Sequence, residues 1–206
     1  MVTGAQSRRP PFGRVLALLL AVTCSAAADD SSLGKVNTAL RLQTIQGEEA
    51  RPLFCEPGSQ RAAVVVFVTT DCPIANRYAP ELEKIRSSFA PRGVGLTLVH
   101  VDPELEVEKA RDHARQFSLG AAVVIDRKHQ IVRATGATVT PEAVVIDPAG
   151  RIRYRGRIDD QFTALGKRRA KPARQDLREA LAAVLEGRPV QTPEAPAIGC
   201  LIPTTP

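Results

Sequence analysis

"TTDCPIANRYAPEL", residues 69–82, places a single thiol where two patterns meet. Upstream, Arg61 to Thr69 contains AAVVVFV, a continuous and largely β-branched run of the kind that forms a strand covered on both faces. Downstream, apolar residues recur at Ile74, Tyr78, Leu82, Ile85 and Phe89, steps of four, four, three and four, which line one side of a helix. Pro73 suits the first helical turn, where its missing N–H costs nothing. Pro80 falls in the helix interior and predicts a bend, and Pro91 with Gly93 ends the helix. Cys72 therefore stands at a strand-to-helix junction. There it faces unpaired backbone N–H groups and the positive end of the helix dipole, both of which favour thiolate over thiol. The placement predicts a nucleophile that another molecule can reach; the plain alternative is a small buried apolar residue.

The same two patterns alternate along the chain. Asn37 to Phe54 reads as two short strands around Gln46-Gly47, with Leu40, Leu42 and Ile45 on the first. VGLTLVHV at 94–101 is a second buried strand, and Val107, Ala110, Ala114 and Phe117 give a second amphipathic helix, so that strand, helix and strand imply a right-handed parallel unit. A strand over Ala121 to Ile125 follows, and the segment from there through Val132 carries no assignable pattern. Thr140-Pro141 leads into a strand at Ala143 to Ile146. The turn Asp147-Pro148-Ala149-Gly150 then joins that strand to Ile152 to Tyr154 as a hairpin. AVVID occurs at both 122–126 and 143–147, two similar strand ends rather than a repeat. The last helix is expected from Pro172 to Glu186, with Leu177, Leu181, Val184 and Leu185 inward and Gly187 as its cap.

The fold class is α/β, and 206 residues with 44% hydrophobic content fit one globular domain with appendages. Residues 1–28 read as an export signal: Arg8, Arg9 and Arg14 precede the apolar run Val15 to Val22 and the small residues Ser25 to Ala28. The run is far short of the ~20 residues needed to cross a bilayer. The expected organisation is a signal over 1–28, a domain over 29–187 and a Pro-rich tail over 188–206. Five prolines from Pro189 onward make the tail extended and core-less, yet it carries Gly199-Cys200-Leu201-Ile202. The formal charge of +6 falls to +3 without the three signal arginines. Aromatic residues are 4%, and the only dense basic run, Lys167 to Lys171, reads as a solvated loop, so nucleic acid is not an expected partner. Cys24 leaves with the signal, and Cys55, Cys72 and Cys200 remain. An odd number in a periplasmic or extracellular setting leaves at least one thiol unpaired or redox-active.

Cys72-Pro73, Pro80 eight positions on in the same helix, and Thr140-Pro141 before a later strand together resemble the thioredoxin-like fold over roughly residues 37–187. The fold this implies is a mixed sheet with flanking helices, preceded by the N-terminal hairpin and followed by the tail. TTDCPIANRYAPE with a later GCLI is similar, more closely, to exported bacterial redoxin-domain proteins. The resemblance implies that Pro141 is cis and lies against the active cysteine. Pro73, Thr140 and Pro141 would then face a substrate peptide or thiol, and Cys72 would attack. Two departures stand out. Ala75 occupies the place of the second cysteine of a C-x-x-C, and Val66 the place of the buried strand carboxylate that assists proton transfer.

The second thiol must then come from elsewhere. Cys200 is the preferred partner, because a long arm can return at a loop-closure cost rising only about 0.6 kcal/mol per doubling of length. Its neighbours Ile198, Leu201 and Ile202 would dock on an apolar patch beside the site. Cys55 is a second candidate, and a Cys72 working alone is a third. The expected activity is thiol–disulfide exchange with protein or small-molecule thiols and disulfides, without a cofactor or a metal.

Two rival classes remain. Thr69 three residues before Cys72 resembles the T-x-x-C of peroxiredoxins, although Val65 replaces that family's preceding proline. A copper-binding thioredoxin-like module would use C-x-x-x-C and a distant histidine, but the fifth position here is Asn76, and His100, His113 and His129 are isolated in sequence. Asp71 adjoins the nucleophile and Arg77 lies a turn further along the helix. Asp159 and Asp160 read as residues that cap or turn the chain.

Overall fold

The seven residues of Ala62–Val68 are all buried, and their alternation divides the core in two. Ala62, Val64, Val66 and Val68 pack on one face, and Ala63, Val65 and Phe67 on the other. The computed structural model describes residues 1, 32–46, 51–52 and 60–203. Beyond Met1, the expected signal lies outside the described residues, as does Cys55.

In chain order the elements begin with β1 (Arg41–Leu42), β2 (Arg51–Pro52), β3 (Ala62–Val68), α1 (Pro73–Phe89), β4 (Val94–His100), α2 (Val107–Gln116), β5 (Ala122–Ile125) and α3 (Gln130–Thr135). They continue with β6 (Val139–Thr140), β7 (Glu142–Ile146), β8 (Ile152–Gly156), β9 (Phe162–Ala164), β10 (Lys167–Arg168), α4 (Asp176–Leu185), β11 (Glu194–Ala195) and β12 (Cys200–Leu201). The main sheet has six strands in the order β11-β8-β7-β3-β4-β5. It is mixed: β3 runs parallel to β4 and antiparallel to β7. The N-terminal hairpin is present as the antiparallel pair β1 and β2. The basic run is partly paired in an exposed hairpin, β10 against β9. Among the described residues no helix is long and apolar enough to cross a membrane.

α1 buries Ile74, Tyr78, Leu82, Ile85 and Phe89, the stripe read from the sequence, and runs unbroken past Pro80. α2 and α4 pack on the same face of the sheet through Ala110, Leu177, Ala180 and Leu181. α3 covers the other face through Ile131 and Val132, beside Val36.

α3 fills the stretch that carried no sequence pattern, and its cause is local. The Asp126 carboxylate accepts the N–H groups of Gln130, Ile131 and Val132 at 2.7, 2.8 and 3.1 Å, and these are donors that a helix start otherwise leaves unpaired. Gly136, at φ 70, closes the far end. The matching aspartate of the second AVVID, Asp147, accepts the N–H groups of Ala149 and Arg151 and so builds the β7–β8 turn.

The tail departs from its expected core-less character. It is extended, but Val190 and Ala195 are buried in the core that contains α1 and α4. β11 adds to the sheet parallel to β8, with Ala195 opposite Gly156. A side chain at Gly156 would place its Cβ 2.0 Å from the Ala195 carbonyl oxygen, so the absent side chain is what lets the tail approach. Arg155 pairs with Glu194 and also donates to the Thr135 carbonyl at 2.8 Å, tying the tail to the end of α3.

Asp126→Ala removes the acceptor for three helix-start donors, and its expected cost is about 2 kcal/mol in urea unfolding. Asp126→Asn, which keeps one carbonyl oxygen, should lose less.

Candidate active site

Cys72 is the N-cap of α1, with φ −75 and ψ 107, and Pro73 follows at the first helical position. The extended backbone of an N-cap turns the side chain toward the first-turn N–H groups. The Ala75 N–H favours the thiolate, although the cysteine closes no full side-chain cap. The sulfur is not open to solvent: Cys72 is 0% exposed, against the expectation of a reachable thiol. Its S–H donates to the Thr140 carbonyl at 3.0 Å.

What covers it is the tail. The Thr140-Pro141 bond is cis, as the resemblance implies, and both residues are buried. β12 pairs antiparallel with β6, so that Cys200 lies opposite Thr140 and Leu201 opposite Val139. The Ile202 N–H extends the ladder to the Thr138 carbonyl at 2.9 Å. A Cβ on Gly199 would sit 2.0 Å from the Thr140 carbonyl oxygen, so only glycine allows this approach. Ile198 and Cys200 pack on the main core and Ile202 on the opposite one, as expected of a docked arm, whereas Leu201 points outward at 81% exposure. The Glu142 carboxylate fixes the partner loop by accepting the Thr138 and Val139 N–H groups at 2.8 and 3.3 Å.

Cys72 and Cys200 are free thiols, and each bears on the other's ionisation. Their acidities diverge. Burial opposes ionisation of Cys72, but hydrogen bonds from the Ala75 N–H, from Cys200 and from Thr140 outweigh it and hold the thiol below its ordinary value. Cys200 is pushed up to about 11, first by burial and then by the neighbouring Cys72, with Asp71 adding to the effect. One sulfur of the pair thus tends to be the anion while the other keeps its proton.

The other sequence candidates fall around this centre. Pro73, Asp71 and Arg77 are exposed, Ala75 is buried, and Val66 is an apolar core residue. Asp159 and Asp160 do turn the chain: Asp159 accepts the Gln161 N–H at 2.9 Å, and Asp160 accepts those of Ala173 and Arg174. Asp159 also receives the Tyr78 hydroxyl, and burial raises its carboxyl. His129 bonds the Val101 carbonyl at 2.6 Å, away from the other two histidines. His100 and His113 meet edge to face with ring centroids 5.0 Å apart, and His113 reaches Asn76 on α1. Among the described residues no group of three or more His, Cys, Asp or Glu side chains converges as a metal site. Gly199, Glu142, Asn76 and the histidine pair were not recognised from sequence. Only Gly199, beside the tail cysteine, carried a readable signal of close backbone approach.

Residues 41–155, more than half of the chain, match the AhpC/TSA family. The chain belongs to that family. Among curated relatives, it is similar to the thiol-disulfide oxidoreductase ResA of Geobacillus thermodenitrificans, 32% identical over 88 residues, 42% of this chain and 49% of that one. The ResA of Halalkalibacterium halodurans is 30% identical over 87 residues, 42% of this chain and 48% of that one. The chain thus spans about half the length of the curated relatives it matches. Among solved structures, an uncharacterized conserved protein from Geobacillus kaustophilus superposes with a TM-score of 0.70 at 25% identity, over 85% of this chain and 95% of that one. A hypothetical protein from Sinorhizobium meliloti 1021 does so with a TM-score of 0.70 at 27% identity, over 84% and 96%. The fold is thioredoxin-like, with the central mixed sheet and flanking helices of that superfamily.

Gly199→Ala should displace β12 from β6 and speed alkylation of Cys72 under native conditions about tenfold, with mass mapping of the modified peptide as the readout. The histidine pair sets an acid limit. His100 is lowered to about 4, by burial first and by His113 second. Its unfolded value is about 6.5, so the unfolded chain binds the extra proton between those two values and stability is lost as pH falls through that window. Urea unfolding should show a loss of about 3 kcal/mol from this residue between pH 6.5 and 4, and His100→Leu should flatten it.

Proposed function

We propose that this protein is an exported thiol–disulfide oxidoreductase in which Cys72 attacks and Cys200 resolves. The observation that carries the reading is the register of β12 on β6, which sets the tail thiol opposite Thr140, the residue whose carbonyl accepts the Cys72 S–H. The family match and the ResA relatives support the reaction class, and the signal-like sequence over 1–28 supports export to the periplasm or beyond.

In the reducing direction the Cys72 thiolate attacks one sulfur of a substrate disulfide. A Cys72–substrate bond forms, the substrate S–S bond breaks, and the second substrate sulfur leaves as a thiolate that takes up a proton. Cys200 then loses its proton and attacks the Cys72 sulfur. The Cys72–Cys200 disulfide forms, the first substrate sulfur leaves reduced, and two electrons have passed from the pair to the substrate. In the oxidising direction the same steps run backwards. Direction follows the difference in reduction potential between the pair and its partner.

The divergent acidities suit these roles. In the mixed disulfide Cys72 is no longer an anion, so one of the influences holding the Cys200 proton in place is gone and the resolving thiol ionises more readily. The buried state of Cys72 requires β12 to lift before substrate enters. β12 is two residues long, and its opening is a local event of low cost. Pro73 on the exposed rim and Thr140-Pro141 beneath the tail would then line the entry for an extended peptide or a small thiol.

A second reading, thiol peroxidase, is favoured by the family match itself and by Thr69 three residues before Cys72. It is set behind the first because the Cys72 sulfur is closed to solvent and a second thiol stands opposite Thr140, whose carbonyl accepts the Cys72 S–H.

Non-reducing peptide mapping of the oxidised protein should yield a Cys72–Cys200 disulfide. Cys72→Ser should abolish disulfide reductase activity, and Cys200→Ser should accumulate a mixed disulfide on Cys72. The rate of Cys72 alkylation should rise with pH to a plateau, with its midpoint below the ordinary thiol value of about 8.5. A Cys55–Cys200 link with Cys72 free overturns the pairing, and rapid hydrogen peroxide consumption by Cys200→Ser favours the peroxidase.

A further inference from the structure

The buried histidine pair has one polar connection to the rest of the molecule among the hydrogen bonds described, and it leads to the turn that carries Cys72. His113 Nε2 lies 2.8 Å from Asn76 Oδ1. Asn76 Nδ2 donates to the Thr70 carbonyl at 2.9 Å, and the Asn76 backbone N–H donates to the Cys72 carbonyl at 3.0 Å. The chemistry of the amide fixes the direction of this chain. Turning the Asn76 amide over would set its oxygen against the Thr70 carbonyl, two acceptors face to face, so the oxygen must face His113. His113 therefore carries its proton on Nε2, and its Nδ1 is a bare lone pair. That nitrogen is buried and unpaired among the described residues, as are both ring nitrogens of His100.

Such an arrangement is costly. Each buried polar atom without a partner keeps its full desolvation cost, and apolar side chains of similar shape would fill the same space without it. His113 is buried against Phe117 at a centroid distance of 4.9 Å and against His100 at 5.0 Å, and burial lowers its basicity, so it stays neutral and keeps the donor that Asn76 needs. The other end of the chain is the peptide stretch Thr70–Asp71–Cys72, whose course sets the N-cap backbone angles of Cys72.

We propose that Asn76 and His113 are positioning residues for the thiol chemistry: they tether the Thr70 carbonyl and thereby hold the Cys72 sulfur in alignment with the Ala75 N–H. Both act through the Thr70–Cys72 backbone rather than on the sulfur itself. The inference rests on the reading of Cys72 as the attacking thiol. His100 backs the His113 ring edge to face and limits its rotation.

The test uses the full chain and three variants, Asn76→Ala, His113→Leu and His113→Gln, the last keeping an N–H donor near the position of Nε2. The readouts are the pH profile of Cys72 alkylation, followed by mass mapping, and urea unfolding measured alongside. In Asn76→Ala and His113→Leu the alkylation midpoint should rise by about one pH unit, a tenfold change in thiolate equilibrium. In His113→Gln it should stay near the wild-type value. His113→Leu removes a buried unpaired nitrogen but also the donor to Asn76 Oδ1, so the urea curve is the control: a shifted midpoint at a pH and temperature where that variant is fully folded reports positioning rather than loss of fold. Midpoints unchanged in both Asn76→Ala and His113→Leu, with a low wild-type midpoint, overturn the tether and leave the oxidoreductase reading intact. An ordinary thiol midpoint in the wild type overturns the oxidoreductase reading, and the tether with it.

Discussion

The close approach of Gly199 to the Thr140 carbonyl is the contact on which the site depends. Space there excludes any Cβ, and the two-residue ladder it permits carries a thiol from the far end of the chain to the head of α1. Without that ladder Cys72 would be a lone cysteine at a helix start, favoured as a thiolate but without a second sulfur near it. With it, the half-buried Cys200 meets the buried Cys72 at the cis-Pro141 loop and the first turn of α1. The anchoring begins earlier in the tail, where Gly156 admits the Ala195 carbonyl to the sheet edge and Arg155 pairs with Glu194. Extended and Pro-rich, the tail loses less conformational freedom on docking than a flexible arm would, so two short strands and a few buried side chains suffice to hold it.

Enclosure has an electrostatic consequence. Burial raises the free energy of any thiolate, yet the helix start and the neighbouring donors single out one sulfur to bear the charge, and that charge in turn keeps the proton on the other. The two thiols are therefore distinguished from one another in the resting protein. The same logic governs the histidines behind it, where burial keeps two imidazoles neutral and lets one of them serve as a fixed donor toward Asn76.

Much of the scaffold was legible because its causes are local or periodic. AAVVVFV reads as a strand buried on both faces, the 74–89 stripe reads as one face of a helix, and both are found so. α3 was not legible, since its cause is a carboxylate four residues before the helix that accepts three N–H groups, and a single aspartate after a strand does not announce this. The tail was read from composition as lacking a core, and composition cannot report that Val190 and Ala195 find buried places on a surface made by other elements. His100 and His113 are isolated on a strand and a helix in sequence and become neighbours only because β4 and α2 pack together.

Local sequence set the strand-to-helix junction that favours a thiolate at Cys72, the proline before the later strand, and the presence of a cysteine in an apolar stretch near the end. Each follows from residue type and short-range spacing. Packing settled that this distant cysteine lies on the Thr140 backbone, that the first thiol is closed to solvent, and that a histidine and an asparagine reach the turn from behind. Those outcomes turn on which backbones can approach to within a missing Cβ and on which buried polar groups find one another, and both are properties of the packed chain.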